Sequence, residues 1–259
     1  SDPLLTVDVK KRGTALKRAE IVAERGWEWV DANKEHPFFI FLHFFDAHWP
    51  YEAPQNFGGT NAYEEEVAYS AHYLGTFLDK MEKADLLDNT TIVCFSDHGE
   101  ELNGWYPNDK GGEALGHPEE FGHGCLLYDQ TQKVLLIVGD KDLKSDISIN
   151  TQVRLIDVMP TTLALLGLPY ASSDFDGVSL IPIINGAIPL LPGYSETFYP
   201  EEQTQATNGK FSNVRNKKSL RFGEKKVIYH LDSDKVEVYD LADDPKERNN
   251  LLDDGTQDS

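Results

Sequence analysis

The sequence predicts an α/β protein, with a mostly parallel sheet flanked by helices and a smaller antiparallel sheet toward the carboxyl end. Three observations predict it. Stretches with apolar residues three and four apart alternate with short, almost wholly apolar runs. Those runs carry too few polar residues for a sheet wetted on one face. From about Leu190 the character changes to a pattern of strands and turns. At 259 residues, 40% of them hydrophobic, the chain can bury a core for one large domain or two unequal ones, and the expected division falls between 1–189 and 190–259.

A first helix is expected from Thr14 to about Glu35, with Leu16, Ala19, Ala23 and Val30 on one stripe, stopped by Pro37. The run Phe38 to Phe45 reads as a strand covered on both faces, with His43 as a satisfied core histidine. Tyr63 to about Lys83 is helical again, with Val67, Ala71, Leu74, Leu78 and Met81 on one face. It leads into a buried strand from Thr91 to Ser96, where Cys94 is expected as a free thiol. Residues 97–124 are too long and polar for a passive connection. A third strand follows at Val134 to Val138. Asp157 is placed to cap a short helix from Val158, Pro160 suits its first turn, and Gly167 a left-handed stop. Ser219 to His230 and Val236 to Tyr239 read as an antiparallel hairpin, and Asp253 to Ser259 as an acidic, frayed end.

A formal charge of −20 speaks against nucleic acid and anionic membrane as partners, because both demand a basic footprint. No stretch approaches the roughly twenty apolar residues of a spanning helix, and the start at Ser1 does not resemble a signal peptide. A cytoplasmic setting is the expectation, with export left open.

Chemistry concentrates where strands end. Asp97-His98-Gly99 directly follows the apolar run Thr91 to Phe95, so an acid and an imidazole stand side by side at a strand's carboxyl edge, where α/β proteins keep their sites. Both are metal-ligand types. His48 leaves the Phe38–Phe45 run in a turn stiffened by Trp49-Pro50, which can hold an imidazole over a pocket. His123 stands between Gly122 and Gly124, where the backbone can approach a ligand closely. His117 is a lesser candidate in Gly116-His117-Pro118, and Lys110 could meet an anion. Glu100 and Glu101 read as solvated charges beside the site, or as groups just behind it.

These motifs, in their order, resemble the sulfatase family of the alkaline phosphatase superfamily. The likeness rests on Phe38 to Tyr51 with its Asp-x-His-x-Pro-Tyr turn, on Asp97-His98-Gly99, and on Gly122-His123-Gly124 with Leu127-Tyr128-Asp129. It continues through Ile156 to Thr162, Leu166 to Pro169, Asp176 to Leu180 and the tail Val238 to Leu251, spanning roughly residues 35–252. The resemblance implies an alkaline-phosphatase-like fold and sulfuric ester hydrolysis. Asp97 and His98 would bind a divalent metal, Ca²⁺ favoured with Mn²⁺ or Zn²⁺ open. His48 would assist the leaving group, and His123 would contact the transferred group; His117, a further candidate for substrate binding, is open to a surface-loop role instead. Substrates would be small-molecule or glycan sulfate esters.

One part of the family's pattern is missing. Sulfatases carry an early strand ending in paired aspartates and a Cys/Ser-x-Pro-x-Arg nucleophile segment, and neither Cys94 nor Cys125 sits in such a motif. The expectation is therefore a carboxyl-terminal part, with the nucleophile (formylglycine, or Ser/Thr) and remaining ligands on an amino-terminal portion of the same enzyme. Phosphonate or phosphodiester hydrolysis, phospho-head-group transfer, and a non-catalytic chain that kept the fold are the alternatives.

Overall fold

The computed structural model describes residues 17–53, 56–102, 117, 123–144, 146–198 and 216–253. The expectations at Thr14, Leu16, Lys110, Gly116, Pro118, Gly122 and the last six residues lie outside them. The described residues divide between two compact units, one within Ser1–Thr90 and the other taking in Thr91–Asn103 and Glu113–Ser259.

In the first unit, helices α1 (Ala19–Asn33) and α2 (Ala62–Lys83) pack against each other. The α2 start follows from local chemistry: the Asn61 side chain accepts the Glu64 N–H at 2.9 Å, and Glu64 and Glu65 favour the positive helix end. Ala23, Val30, Phe77 and Met81 form the buried centre, as the three-and-four spacing requires. Phe38, Ile40, Leu42 and Phe44 pack onto it from one side. Gly26 makes this approach possible, since a Cβ there would stand 2.8 Å from Leu42 Cδ2.

The run Phe38 to Phe45 departs from expectation. It joins no hydrogen-bonded ladder among the described residues, and its burial alternates. Phe39 and Phe41 are 77% and 66% exposed, and His43 is exposed rather than in the core, edge-on to Phe45 at 5.8 Å. The physical reason is that an apolar run records only that both faces dislike water. Here one face has the helices to bury it, and the other has nothing in the described structure.

In the second unit, β1 (Ile92–Phe95) pairs antiparallel with β2 (Leu136–Gly139), Ile92 opposite Gly139 and Phe95 opposite Leu136. The mostly parallel sheet is thus not found among the described residues, where every strand pairing is antiparallel. Between β1 and β2 lies the short helix α3 (Asp129–Gln132). Helix α4 (Val158–Leu165) begins and ends as expected, with Gly167 at φ 64°. Asp157, however, does not cap it with its side chain. That carboxylate is buried and accepts the Arg154 and Val178 N–H groups, both at 2.9 Å, together with the Arg154 guanidinium. A one-turn helix α5 (Ile181–Ile184) precedes the strands.

Strands β3 (Gly193–Thr197), β4 (Lys217–Phe222), β5 (Lys225–His230) and β6 (Val236–Asp240) form an antiparallel sheet in sequence order. The single strand expected from Ser219 to His230 is two, because Gly223 takes φ 60° and turns the chain in two residues. One face of this sheet is ionic and buried. Lys226 Nζ lies 2.8 Å from both Asp129 Oδ1 and Glu247 Oε1, and Arg221 reaches Asp129 Oδ2 at 2.6 Å. Nearby, Glu237 accepts from Tyr128 at 2.7 Å, Tyr239 at 2.9 Å, His230 at 2.8 Å and Lys235 at 3.0 Å. Burial alone would raise the Glu237 carboxyl, but these donors together hold it well below the ordinary glutamate value.

Candidate functional site

Antiparallel pairing of β1 with β2 carries the end of β1 to the start of β2. Ser96 donates its N–H to Leu135 O at 3.2 Å, and Leu135 N–H returns to Ser96 Oγ at 2.9 Å. Gly99 then donates to Thr131 O at 2.9 Å, so the Asp97 to Glu100 turn lies against α3. Only glycine fits there, because a Cβ on Gly99 would meet Gln130 O at 2.2 Å.

Segment 123–128 is held from the opposite side. Cys125, Leu126, Leu127 and Tyr128 are all buried. Thr197 Oγ1 donates to Gly124 O, and the buried Lys217 Nζ lies 3.4 Å from Cys125 O. The ionic face described above fixes Asp129 at its end. Gly124 at φ 91° lets the chain double back just after His123.

The two anchored segments bring His98 and His123 into a face-to-face stack, ring centroids 3.7 Å apart and planes 28° from parallel. His98 Nδ1 donates to Gly99 O at 2.6 Å, which leaves the lone pair of a neutral ring on Nε2, 3.7 Å from Asp97 Oδ2. Asp97 Oδ1 accepts the His98 N–H at 3.0 Å. His123 Nδ1 meets Glu100 Oε1 at 3.2 Å, and the Glu100 side chain is only 7% exposed. Of the two sequence readings of Glu100, a solvated charge or a group just behind the site, the structure agrees with the second, because the Gly99 turn directs the side chain inward.

The donor chemistry of Asp97 and His98 fits a divalent cation. A carboxylate oxygen and a basic imidazole nitrogen 3.7 Å apart can share an ion bonded to each at about 2.1–2.4 Å. The pair supplies only two donors, and the Asp97 side chain is 82% exposed. Among the described residues, no group of three or more His, Cys, Asp and Glu gathers as a metal cage.

His48 belongs to the first unit. Its ring stacks on Phe45 at 4.4 Å, and Nδ1 donates to Trp49 O at 2.6 Å, ahead of a cis Trp49-Pro50 peptide. Its turn is braced by Arg18, which bonds Glu66 at 2.9 Å, Asp46 at 3.4 Å and Glu52 O at 2.8 Å, while Glu66 also accepts the Glu52 N–H at 2.7 Å. Burial pushes both the Asp46 and Glu66 carboxyls upward, with Arg18 opposing. Sequence reasoning missed Arg18 and Glu66; a buried acid on a charged helix carries no signal of its own. His117 lies flat on Tyr128 at 3.7 Å with Nε2 2.9 Å from Glu247 O, and burial lowers its pKa against the main-chain hydrogen bonds.

Two family models match this chain: Sulfatase, over residues 10–168, and N-sulphoglucosamine sulphohydrolase, C-terminal, over residues 121–259. The chain belongs to the sulfatase family. Its relatives include an N-acetylglucosamine-6-O-sulfatase of Bacteroides thetaiotaomicron, 29% identical over 69% of this chain and 29% of that protein. A choline-sulfatase of Rhizobium meliloti is 27% identical over 73% of this chain and 32% of the relative. Human arylsulfatase K is 25% identical over 69% and 30%. The chain thus spans about a third or less of these sulfatases. Among solved structures, one in complex with its substrate D-glucosamine-2-N,6-O-disulfate superposes with TM-score 0.54 at 24% identity, over 74% of this chain and 36% of the other. A 2-O GAG sulfatase does so with TM-score 0.56 at 21% identity, over 74% and 38%. Both attest the shared fold. No helix among the described residues of this sulfatase chain is long and apolar enough to cross a membrane.

Proposed function

We propose that this chain is the carboxyl-terminal part of a metal-dependent sulfuric ester hydrolase acting on a small-molecule or glycan sulfate. The observation that carries the reading is the clustering of Asp97, His98 and His123, a cation-binding pair beside a stacked imidazole donor. Relatives named for sulfated amino sugars favour a sulfate ester over a phosphonate. In the whole enzyme residues 1–189 would belong to the main domain and 190–259 to the small sheet subdomain.

In this reading Asp97 and His98 would hold the cation, Ca²⁺ favoured by the family resemblance with Mn²⁺ or Zn²⁺ open, and it would supply a Lewis acid for the ester's oxygens. His123 donates to the transferred group. His48, with its Nδ1 proton on Trp49 O, uses Nε2 to protonate the departing oxygen. His117 has its ring face and Nε2 engaged, and we do not place it on the ester. The nucleophile, formylglycine or a hydroxyl residue, and further ligands come from polypeptide outside this chain. The exposed Phe39 and Phe41 support that view, since two neighbouring phenylalanines open to water are unfavourable.

The isolated chain is expected to show no aryl sulfate hydrolysis, because two donors rarely fix a divalent ion. The full-length enzyme should hydrolyse an aryl sulfate in preference to an aryl phosphonate and lose that activity on Asp97→Ala. Turnover by the isolated chain, or a preference for phosphonate, would overturn the proposal. Over a series of aryl sulfates, His48→Ala should slow poor leaving groups by about 10²- to 10⁴-fold and good ones far less. Equal leaving-group slopes for wild type and variant would remove His48 as the acid.

A further inference from the structure

Arg18 stands immediately before α1, but its guanidinium reaches both ends of the loop that carries His48: Asp46 Oδ1 at 3.4 Å on one side and Glu52 O at 2.8 Å on the other. We propose that Arg18 is a positioning residue for His48, clamping residues 46–52 onto α1 and α2 so that the imidazole keeps one place and one direction. This rests on the reading of His48 as the acid that protonates the departing oxygen.

The clamp is anchored at its own end. Arg18 O accepts the Ile21 and Val22 N–H groups at 2.9 and 3.1 Å, which fixes its main chain to the first turn of α1. Its side chain is held by Glu66 of α2, a fully buried carboxylate whose oxygens lie 2.9 and 3.2 Å from the same guanidinium nitrogen. Glu66 Oε1 also accepts the Glu52 N–H at 2.7 Å, so arginine and glutamate together bind both main-chain polar groups of Glu52. Within the loop, the His48 ring is set relative to its neighbours by the Phe45 stack at 4.4 Å and the Nδ1 bond to Trp49 O at 2.6 Å. Those contacts travel with the loop, whereas Arg18 ties the loop to the helices. Acting as acid, the imidazolium gives its Nε2 proton to the departing oxygen and becomes the neutral Nδ1–H ring. Displacing the loop by about 1 Å would slow that transfer by up to about 10²-fold. Buried Tyr51, edge-on to Tyr63 at 5.5 Å, holds the far end as well, so removal of Arg18 loosens the loop without releasing it. Lysine would keep the charge, but a single ammonium cannot bridge Glu66, Asp46 and the Glu52 carbonyl as the planar fork does.

In the full-length enzyme, hydrogen exchange read by mass spectrometry should show residues 46–52 exchanging about tenfold faster in Arg18→Met and Arg18→Lys than in wild type, with the α2 amides around Phe77 and Met81 unchanged. Arg18→Lys leaves a cation beside the buried Asp46 and Glu66, so it carries the test should Arg18→Met fail to fold. Over a series of aryl sulfates, Arg18→Lys should lower kcat/KM for poor leaving groups by about 10- to 10²-fold and for good ones far less. With His48→Ala already present, the same substitution should cost nothing further, because Arg18 acts through the imidazole. Unchanged exchange in 46–52 overturns the proposal. So do equal losses across leaving groups, or losses that add to those of His48→Ala, where His48→Ala itself is selective for poor leaving groups. Faster exchange confined to 46–52, together with a leaving-group slope that His48→Ala does not alter, would keep Arg18 as the clamp and strike only at His48 as the acid.

Discussion

Single residues decide how finely the site is built, and two glycines separate the reasons glycine is used. At Gly99 an added Cβ would lie 2.2 Å from the Gln130 carbonyl, a main-chain atom that cannot step aside without parting the turn from α3. At Gly75, within α2, an added Cβ would meet nothing within 4 Å. Gly99→Ala should therefore cost about 1–3 kcal/mol of stability as overpacking against backbone. Gly75→Ala should add about 0.5–1 kcal/mol through helix propensity. Urea unfolding of the two variants beside wild type tests both signs at once, and equal effects would mean that the turn is not held by α3. The same scale shows what the sequence can disclose. Asp97 and His98 stand out as candidates because two ligand types adjoin at a strand end. The burial of Glu66 leaves no such mark, because it depends on a distant arginine that no local pattern encodes.

At the scale of elements, periodicity reports helices faithfully and strands only up to their partners. Helix α2 lies within a residue of its expected start because Asn61 and the spaced apolar residues fix both end and face. The β4–β5 turn escaped notice because Gly223 alone marks it. The sheet's ionic face also has a consequence for pH. Glu237 is held below the ordinary glutamate value, so the stability it contributes is full above its unfolded pKa of about 4.3 and is lost as pH falls below that value. Glu247, raised by burial against Lys226, acts in the opposite direction, so the comparison must be made at each pH between wild type and Glu237→Gln. The variant should be less stable near neutrality by about 1–3 kcal/mol, with its buried donors left partly unsatisfied. That deficit should shrink as pH drops from 5 toward 3. A deficit constant with pH in equilibrium unfolding would show that Glu237 carries no linked proton.

The molecule as a whole carries an apolar face that its described part does not cover. Phe38, Ile40, Leu42 and Phe44 pack on the helices while Phe39 and Phe41 point away, so the segment has the alternation of a strand and the composition of one buried on both sides. Composition reflects everything a segment is selected to bury, whereas coordinates show only what is present to bury it. Misreading the run as fully covered and reading the chain as part of a larger sulfatase thus have a common origin. In the isolated chain, Phe41→Ser should change stability by no more than about 0.5 kcal/mol, as for an exposed site, and amides 38–45 should exchange rapidly. In the full-length enzyme the same substitution should cost about 3–5 kcal/mol, and those amides should be strongly protected by a neighbouring strand. Hydrogen exchange read by mass spectrometry on both proteins settles the point: equal, rapid exchange would mean that this face stays open, and the partner for Phe39 and Phe41 would have to be sought outside the enzyme's own fold.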